Sequence, residues 1–304
     1  MAKVFVTRAV PGDALQRLRD AHEVAVWDGA MPPEAAVLRE ALADAEGLLC
    51  LLTERIDAAL LDAAPRLRAI ANYAVGTDNI DLRLTRARGI PVGVTPDVLT
   101  EATADLAFAL LLAAARRLPE AAAAARDGKW RTWEPAHWLG AEVNGATLGI
   151  VGFGRIGRAV ARRAEGFRMT VRSTADTELS DLLAASDFVS LHVPLTRRTR
   201  HLIDVHALAR MRRTAILVNT SRGAVIDQGA LIDALRSGEI AAAAIDVTDP
   251  EPPAPDDPIF STPNLLVVPH IGSATHTARA RMTELAVENL IAGLDGRPMP
   301  HPAG

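Results

Sequence analysis

Cysteine is almost absent from this 304-residue chain, its net charge is small, and none of its apolar runs is long enough to cross a bilayer. The single cysteine, Cys50, rules out a disulfide framework, and its place in the apolar run 47–52 marks it as a buried small hydrophobe rather than a nucleophile. A formal net charge of −4 gives no electrostatic footprint for nucleic acid or for an anionic membrane. The longest apolar run, 106–115, falls well short of the roughly 20 residues that a spanning helix needs. The N-terminus, MAKVFVTRAV, carries one lysine and no sustained apolar core, so it does not read as a signal peptide, and the expected compartment is the cytoplasm. There is no repeat at solenoid period, and no low-complexity segment beyond an alanine-rich turn at 121–125.

With 49% apolar and 23% charged residues the composition is that of a soluble globular protein. The length suits two domains, each able to bury its own core. The stretch that orders them is 147–162, TLGIVGFGRIGRAVAR. Its apolar start, 148–151, reads as a buried strand. Gly152, Gly154 and Gly157 follow at GxGxxG spacing, and Ile156 and Val160 continue at helical spacing. Strand, glycine turn and helix in that order are the setting of a dinucleotide-binding fingerprint. Gly152 allows the tight turn, Gly154 lets backbone approach a pyrophosphate, and Gly157 lets helix pack on strand. The free N–H groups and positive dipole end of the new helix face that phosphate.

Residues 1–99 alternate strand-like pieces (3–7, 23–27, 47–51, 67–72, 90–93) with helix-like ones (12–19, 33–42, 58–63, 81–88). That alternation predicts a parallel sheet with helices on both faces. The loop Tyr73-Ala74-Val75-Gly76-Thr77-Asp78-Asn79 follows the carboxyl end of a strand, where ligands of open α/β sheets bind. A turn rich in Gly, Asp and Asn accounts for it equally well. Residues 100–117 read as a long helix, apolar nearly all round, that must be buried within a domain or against a second copy. Trp130, Trp133 and Trp138 come next; they can line a pocket or close a subunit contact, with ordinary packing the favoured reading. Beyond 147 the pattern predicts further strands at 168–172, 188–193, 215–219, 242–247 and 265–268. It places helices at 179–184 and 228–236, a proline-rich linker at 250–258 and a last helix over roughly 274–294.

Polar residues just past apolar strands are the ones that face a ligand in such a sheet. Asn219-Thr220-Ser221-Arg222-Gly223 follows one strand and Asp246 ends another. Glu251 lies in the proline-rich linker, and His270, with Gly272 and Ser273 behind it, follows a third strand. Taken singly, each has a duller account: a surface ion pair, a solvated linker carboxylate, a hydrogen-bonded structural histidine. Together they are the parts for redox of an α-keto acid. A guanidinium offers a planar fork to a carboxylate, an imidazole carries a proton, and a carboxylate pairs with that imidazole and orients it.

Seven segments carry a family likeness: NYAVGTDNIDL (72–82), TEATADLAFALLLAAARR (100–117), TLGIVGFGRIG (147–157), SDFVSLHVPLT (186–196), LVNTSRGAVID (217–227), DVTDPEPP (246–253) and PHIGSAT (269–275). In these, over nearly its whole length, the chain resembles the D-isomer specific 2-hydroxyacid dehydrogenases, and within them the glyoxylate/hydroxypyruvate reductase branch. The resemblance implies an α/β fold of two doubly wound parallel-sheet domains. One is a discontinuous, flavodoxin-like substrate domain, 1–99 and 272–304; the other is a Rossmann dinucleotide-binding domain, 100–271. It implies NAD(P)H-dependent reduction of glyoxylate, hydroxypyruvate or a similar small 2-oxo acid to the D-2-hydroxy acid, without a metal, by a homodimer. Arg222 would hold the substrate's carboxylate and carbonyl, His270 would be the acid/base, and Glu251 its partner. Val75 and Gly76 would offer backbone N–H groups to the carboxylate. Arg155 and Ile156 would sit with the three glycines at the pyrophosphate, and Thr103 and the His192-Val193-Pro194 turn would touch the dinucleotide. Asp246 would bind the nicotinamide amide, with Thr220, Ser221, Gly272 and Ser273 completing the lining.

The chain departs from that pattern after the second strand of the nucleotide domain. The fingerprint asks for an acidic residue about 20 positions past the glycines to bind the ribose hydroxyls, and Asp176, in VRSTAD, lies near that place. The connection to LSDLL (179–183) is about a dozen residues shorter than the usual strand, helix and strand. NAD is the expected cofactor and NADP the alternative: Arg172, Ser173 and Thr174 tolerate a 2′-phosphate, and Asp176 repels one. Thr248 also stands where relatives often carry an aromatic. A phosphoglycerate dehydrogenase-type enzyme and a non-catalytic nucleotide sensor on the same fold are the competing readings.

Overall fold

The computed structural model describes residues 1–303. The chain divides into two compact units, one made of Met1–Leu99 and the segment from Ala274 onward, the other of Thr100–Ser273. The first unit runs β1 (Lys3–Val6), α1 (Ala14–Ala21), β2 (Glu23–Val26), α2 (Ala35–Leu42), β3 (Gly47–Cys50), α3 (Ala58–Asp62), β4 (Ala69–Asn72), α4 (Leu82–Ala87) and β5 (Val92–Gly93). Its strands pair in parallel in the order β2-β1-β3-β4-β5, the flavodoxin-like winding. β3 and β4 are buried at every position, as short unalternating apolar runs must be at the centre of a parallel sheet covered on both faces. Neighbouring Leu48 and Leu49 point to opposite faces: Leu49 joins Val6 and Leu18, while Leu48 joins Leu42, Ile56 and Ile70. Asp57 and Asp81 start α3 and α4 by accepting N–H groups from Leu60 and from Arg83 and Leu84.

The second unit contains α5 (Thr100–Ala115), α6 (Leu118–Arg126), β6 (Thr147–Val151), α7 (Arg155–Glu165), β7 (Thr170–Ser173), α8 (Leu179–Ala185) and β8 (Phe188–Leu191). It continues with α9 (Val205–Arg210), β9 (Ile216–Asn219), α10 (Gln228–Ser237), β10 (Ala242–Ile245) and β11 (Leu265–Val267). The order is β11-β10-β9-β8-β6-β7, all parallel. This is a Rossmann frame whose direction of winding reverses between β6 and β8. The usual winding places a further strand outside the second one; here β7 is the edge, because only α8 lies between β7 and β8. The last helix, α11 (His276–Leu294), returns to the first unit and packs on α1, β3 and β4.

The apolar α5 is buried inside its own unit, with Ala104, Ala107, Phe108 and Leu111 in the core beside Ile150, Val160 and Val218. Two expectations need correction, and one helix is not foreshadowed by the sequence pattern. The alanine-rich segment 121–125 is not a turn but the interior of α6, as the strongest helix former dictates once Pro119 sits in the first turn. α9 went unread because six residues show too little of a helical period; its start is fixed by Asp204, which accepts the Ala207 N–H. Trp130 and Trp133 are not packed: they are 75% and 80% exposed, while the half-exposed Trp138 has the Arg117 guanidinium 5.4 Å from its ring centroid, and every residue of 127–140 lies on the surface. Among the described residues no helix is long and apolar enough to cross a membrane.

Candidate active site

The glycine loop lies at the reversal point of the second sheet. β6 ends at Val151, Gly152 turns at φ +96, and α7 begins at Arg155 with Ile156 beside it in the first turn. Gly157 packs so closely on the Gly152 carbonyl that a Cβ there would overlap the oxygen. Gly152 donates its N–H to Thr174 Oγ1 at 2.9 Å, tying the loop to the end of β7. A Cβ on Gly152 would also stand 2.7 Å from the His192 carbonyl, so the loop faces the 192–194 turn across the crevice between β6 and β8. The space beside Gly154 is open.

These residues fit a dinucleotide. An unobstructed helix start offers N–H groups to a pyrophosphate, and the Thr220 hydroxyl, buried just past β9, has no hydrogen-bond partner among the described residues. A buried hydroxyl left unpaired costs about 1–3 kcal/mol, which a polar ligand group can offset. His192 shares a 2.8 Å hydrogen bond with Ser190 through Nε2, and desolvation of the ring pushes its pKa down to about 4, so it is neutral at neutral pH. Asp176 lies in the exposed turn after β7, where its Oδ1 accepts the Ser173 and Thr177 hydroxyls, each at 3.2 Å.

Arg222 is placed by the residue that ends β9. Asn219 is fully buried; its Nδ2 donates to the Arg222 carbonyl at 2.9 Å, and its Oδ1 accepts the N–H and the hydroxyl of Ser221. Gly223 then abuts residue 248, where any Cβ would overlap the Thr248 carbonyl. The Arg222 loop is thus pressed against the segment that carries Asp246 and Glu251. The half-buried Arg222 itself donates from its guanidinium to the Ser221 carbonyl at 2.8 Å.

His270 is held from behind. Asp246, 1% exposed, accepts the Ile271 N–H at 2.6 Å and the Gly272 N–H at 2.8 Å, and its carbonyl accepts the His270 N–H at 2.9 Å. Burial raises the Asp246 pKa, against the pull of those two N–H groups. Thr103 Oγ1 donates to the Gly272 carbonyl at 3.3 Å, just before Ser273. This loop keeps His270 at φ +52, a left-handed conformation that a histidine holds only when its surroundings impose it. Glu251 Oε2 accepts the Thr248 N–H, and Oε1 makes a short hydrogen bond with His270 Nδ1. With Nδ1 engaged, Nε2 is the nitrogen left for a ligand.

The second unit therefore joins Thr103, Asp246, Glu251, His270 and Gly272 in one network, and the glycine loop with Thr174 and His192 in another. Val75 and Gly76 belong to the first unit, on the loop after β4, with Val75 42% exposed. The sequence does not show that Asn219 holds the Arg222 carbonyl or that Thr174 ties down the glycine loop. The signal for each is a polar residue at or just past the end of a strand: Asn219 ends the buried β9, and Thr174 follows the edge strand β7.

The sequence model for the NAD binding domain of D-isomer specific 2-hydroxyacid dehydrogenases matches residues 108–272. The glyoxylate reductase of Korarchaeum cryptofilum is 50% identical over an alignment of 314 residues that covers 98% of this chain and 95% of that protein. That alignment is longer than the chain itself, so the relative carries residues that this chain lacks. A crystal structure of a Thermus thermophilus protein matches with a TM-score of 0.94 at 50% identity, covering 99% of this chain and all of that one. The NADPH-dependent glyoxylate/hydroxypyruvate reductase of Sinorhizobium meliloti, in complex with NADP and malonate, matches with a TM-score of 0.87 at 32% identity, covering 100% of this chain and 97% of that one. The chain belongs to the D-isomer specific 2-hydroxyacid dehydrogenases, and 108–272 is its NAD-binding domain.

Proposed function

We propose that this protein is an NAD(P)H-dependent reductase that converts glyoxylate, hydroxypyruvate or a similar small 2-oxo acid to the D-2-hydroxy acid, and that it works as a homodimer. The observation that carries the reading is the Glu251–His270 pair, on a strained loop anchored by Asp246, in the unit that also holds the glycine loop and Arg222. When bound, the nicotinamide supplies the hydride that reduces the keto carbon. His270 gives a proton from Nε2 to the carbonyl oxygen as that oxygen gains charge. Glu251 accepts from Nδ1 and fixes the ring with Nε2 free to act. Arg222 holds the substrate's carboxylate and the developing charge on its oxygen, and the family resemblance assigns the Val75 and Gly76 N–H groups to that carboxylate as well.

Gly152, Gly154, Arg155, Ile156 and Gly157 receive the pyrophosphate. Thr103, His192, Val193, Pro194, Thr220, Ser221, Gly272 and Ser273 would line the rest of the dinucleotide site, and Asp246 would bind the nicotinamide amide. Asp176 takes the ribose, which favours NADH; the Sinorhizobium meliloti relative binds NADP. The substrate domain is the unit built from 1–99 and the C-terminal segment, and the exposed tryptophans support a second copy as partner.

Steady-state oxidation of NADH and of NADPH, with glyoxylate and hydroxypyruvate as acceptors, tests the reading. Turnover is expected with at least one pair. His270→Ala and Arg222→Ala each lower kcat/KM by about 10²–10⁴-fold, with the cofactor's Kd kept. Near-normal turnover in either variant, or none in the wild type with both cofactors, overturns the assignment.

A further inference from the structure

The loop after β4 turns its carbonyls inward. The Ala74 carbonyl accepts from Thr95 N at 2.9 Å, Thr77 from Ile80 N at 2.9 Å and Asn79 from Ile56 N at 2.8 Å. The Gly76 carbonyl accepts from the side chain of Asn72, Nδ2, at 2.8 Å. Among the described residues, nothing accepts from the N–H groups of Ala74, Val75, Gly76 or Thr77. In a planar trans peptide the C=O and N–H point opposite ways. Tying the Ala74 oxygen inward therefore turns the Val75 N–H outward, and tying the Gly76 oxygen inward does the same to the Thr77 N–H. A run of backbone N–H groups presented together is an anion-binding concavity.

Asn72 holds the Gly76 carbonyl of this loop with its side chain. It ends β4 and is fully buried. Its Nδ2 also reaches Asn79 Oδ1 at 3.3 Å, and Asn79 in turn donates to the Leu51 and Glu54 carbonyls at 3.0 and 3.1 Å. Glu54, 3% exposed, anchors that end by accepting Thr7 Oγ1 at 2.6 Å and the Leu51 N–H at 2.7 Å. Both Asn72 N–H bonds are thus spent on the loop, and the chain of contacts runs back to a fixed point in the sheet.

We propose that Asn72 is a positioning residue for the substrate's carboxylate: it fixes the Gly76–Thr77 peptide so that the Thr77 N–H joins those of Val75 and Gly76 in gripping that group. This rests on the reductase reading above. Asn72 does not touch the substrate. Its removal loosens a grip that is the same in ground and transition states, so it acts on KM rather than kcat.

Asn72→Leu and Asn72→Asp keep the volume and remove the donor, while Asn72→Ser keeps a shorter donor. Steady-state kinetics with glyoxylate, inhibition by oxalate and the NADH Kd by fluorescence are measured for all three. The Leu and Asp variants are expected to raise KM and the oxalate Ki at least tenfold, with kcat changed less than threefold and the NADH Kd unchanged; the Ser variant falls between. If the Leu variant does not fold, the Asp and Ser pair carries the test. Wild-type turnover with flat KM and Ki across the folded variants, or a loss confined to kcat, overturns the role of Asn72 alone. A wild type that reduces neither acid and ignores oxalate overturns the reductase reading itself.

Discussion

His192 shows how a single residue's surroundings set its charge state. Its ring hydrogen-bonds to Ser190, its backbone N–H reaches the Val151 carbonyl at 2.7 Å, and desolvation drops its pKa to about 4. An unfolded histidine titrates near 6.5. The folded value is the depressed one, so the unfolded chain takes up the proton first as pH falls. The contribution of His192 to stability is therefore complete above about pH 6.5 and is lost as pH falls toward 4. Urea unfolding at pH 7 and pH 4.5 checks this against His192→Asn, which keeps a hydrogen-bonding side chain but does not titrate. The wild type should lose more stability across that window than the variant, by on the order of 1–3 kcal/mol. Parallel losses in the two proteins would sink the idea.

At the scale of elements, function depends on loops pressed together after successive strands, and Gly223 marks the tightest contact. A Cβ there would overlap the Thr248 carbonyl, so Gly223→Ala must push the Arg222 loop away from the segment bearing Asp246 and Glu251. Overpacking of this kind costs about 1–3 kcal/mol. The expected result is a lower melting temperature with a fall in kcat/KM of about a hundredfold, since misplaced groups lose catalysis steeply. An unchanged melting temperature with full turnover would show that the loops do not depend on this contact. The strands around these loops were legible in the sequence, because buried parallel strands are short apolar runs, and Arg222, Asp246 and His270 each lie just past one. The missing outer strand beside β7 was legible as a short connection. What stayed hidden were side chain to backbone ties, such as Asn72 to Gly76 and Asn219 to Arg222, since no spacing rule reports where an amide points. α6 and α9 were hidden for another reason: one has five successive alanines among its nine residues and the other is only six residues long, so neither shows a polar–apolar period.

At the scale of the whole molecule, the exposed segment 127–140 is the feature a single chain leaves unexplained. Aromatics are only 4% of the residues, yet Trp130 and Trp133 are 75% and 80% exposed and Leu139 is 69% exposed. Large apolar side chains exposed together mark contact surfaces, and tryptophan is among the residues that carry most binding energy in them. Two copies related by a twofold axis would each bury the other's segment, an isologous contact that closes at a dimer. Sedimentation velocity is expected to give a species of twice the 32.3 kDa chain mass. Replacing Trp130 and Trp133 together with serine should shift it toward the single-chain mass at micromolar concentration. Dilution should lower the melting temperature of the wild type, because association stabilises the folded state by mass action, and the double variant should show no such dependence. NADH affinity should change little in the variant, since the glycine loop lies within one chain. A wild type that sediments as a single chain, or a double variant that stays dimeric, would remove the tryptophan segment from the assembly and leave its exposure to be explained by another partner.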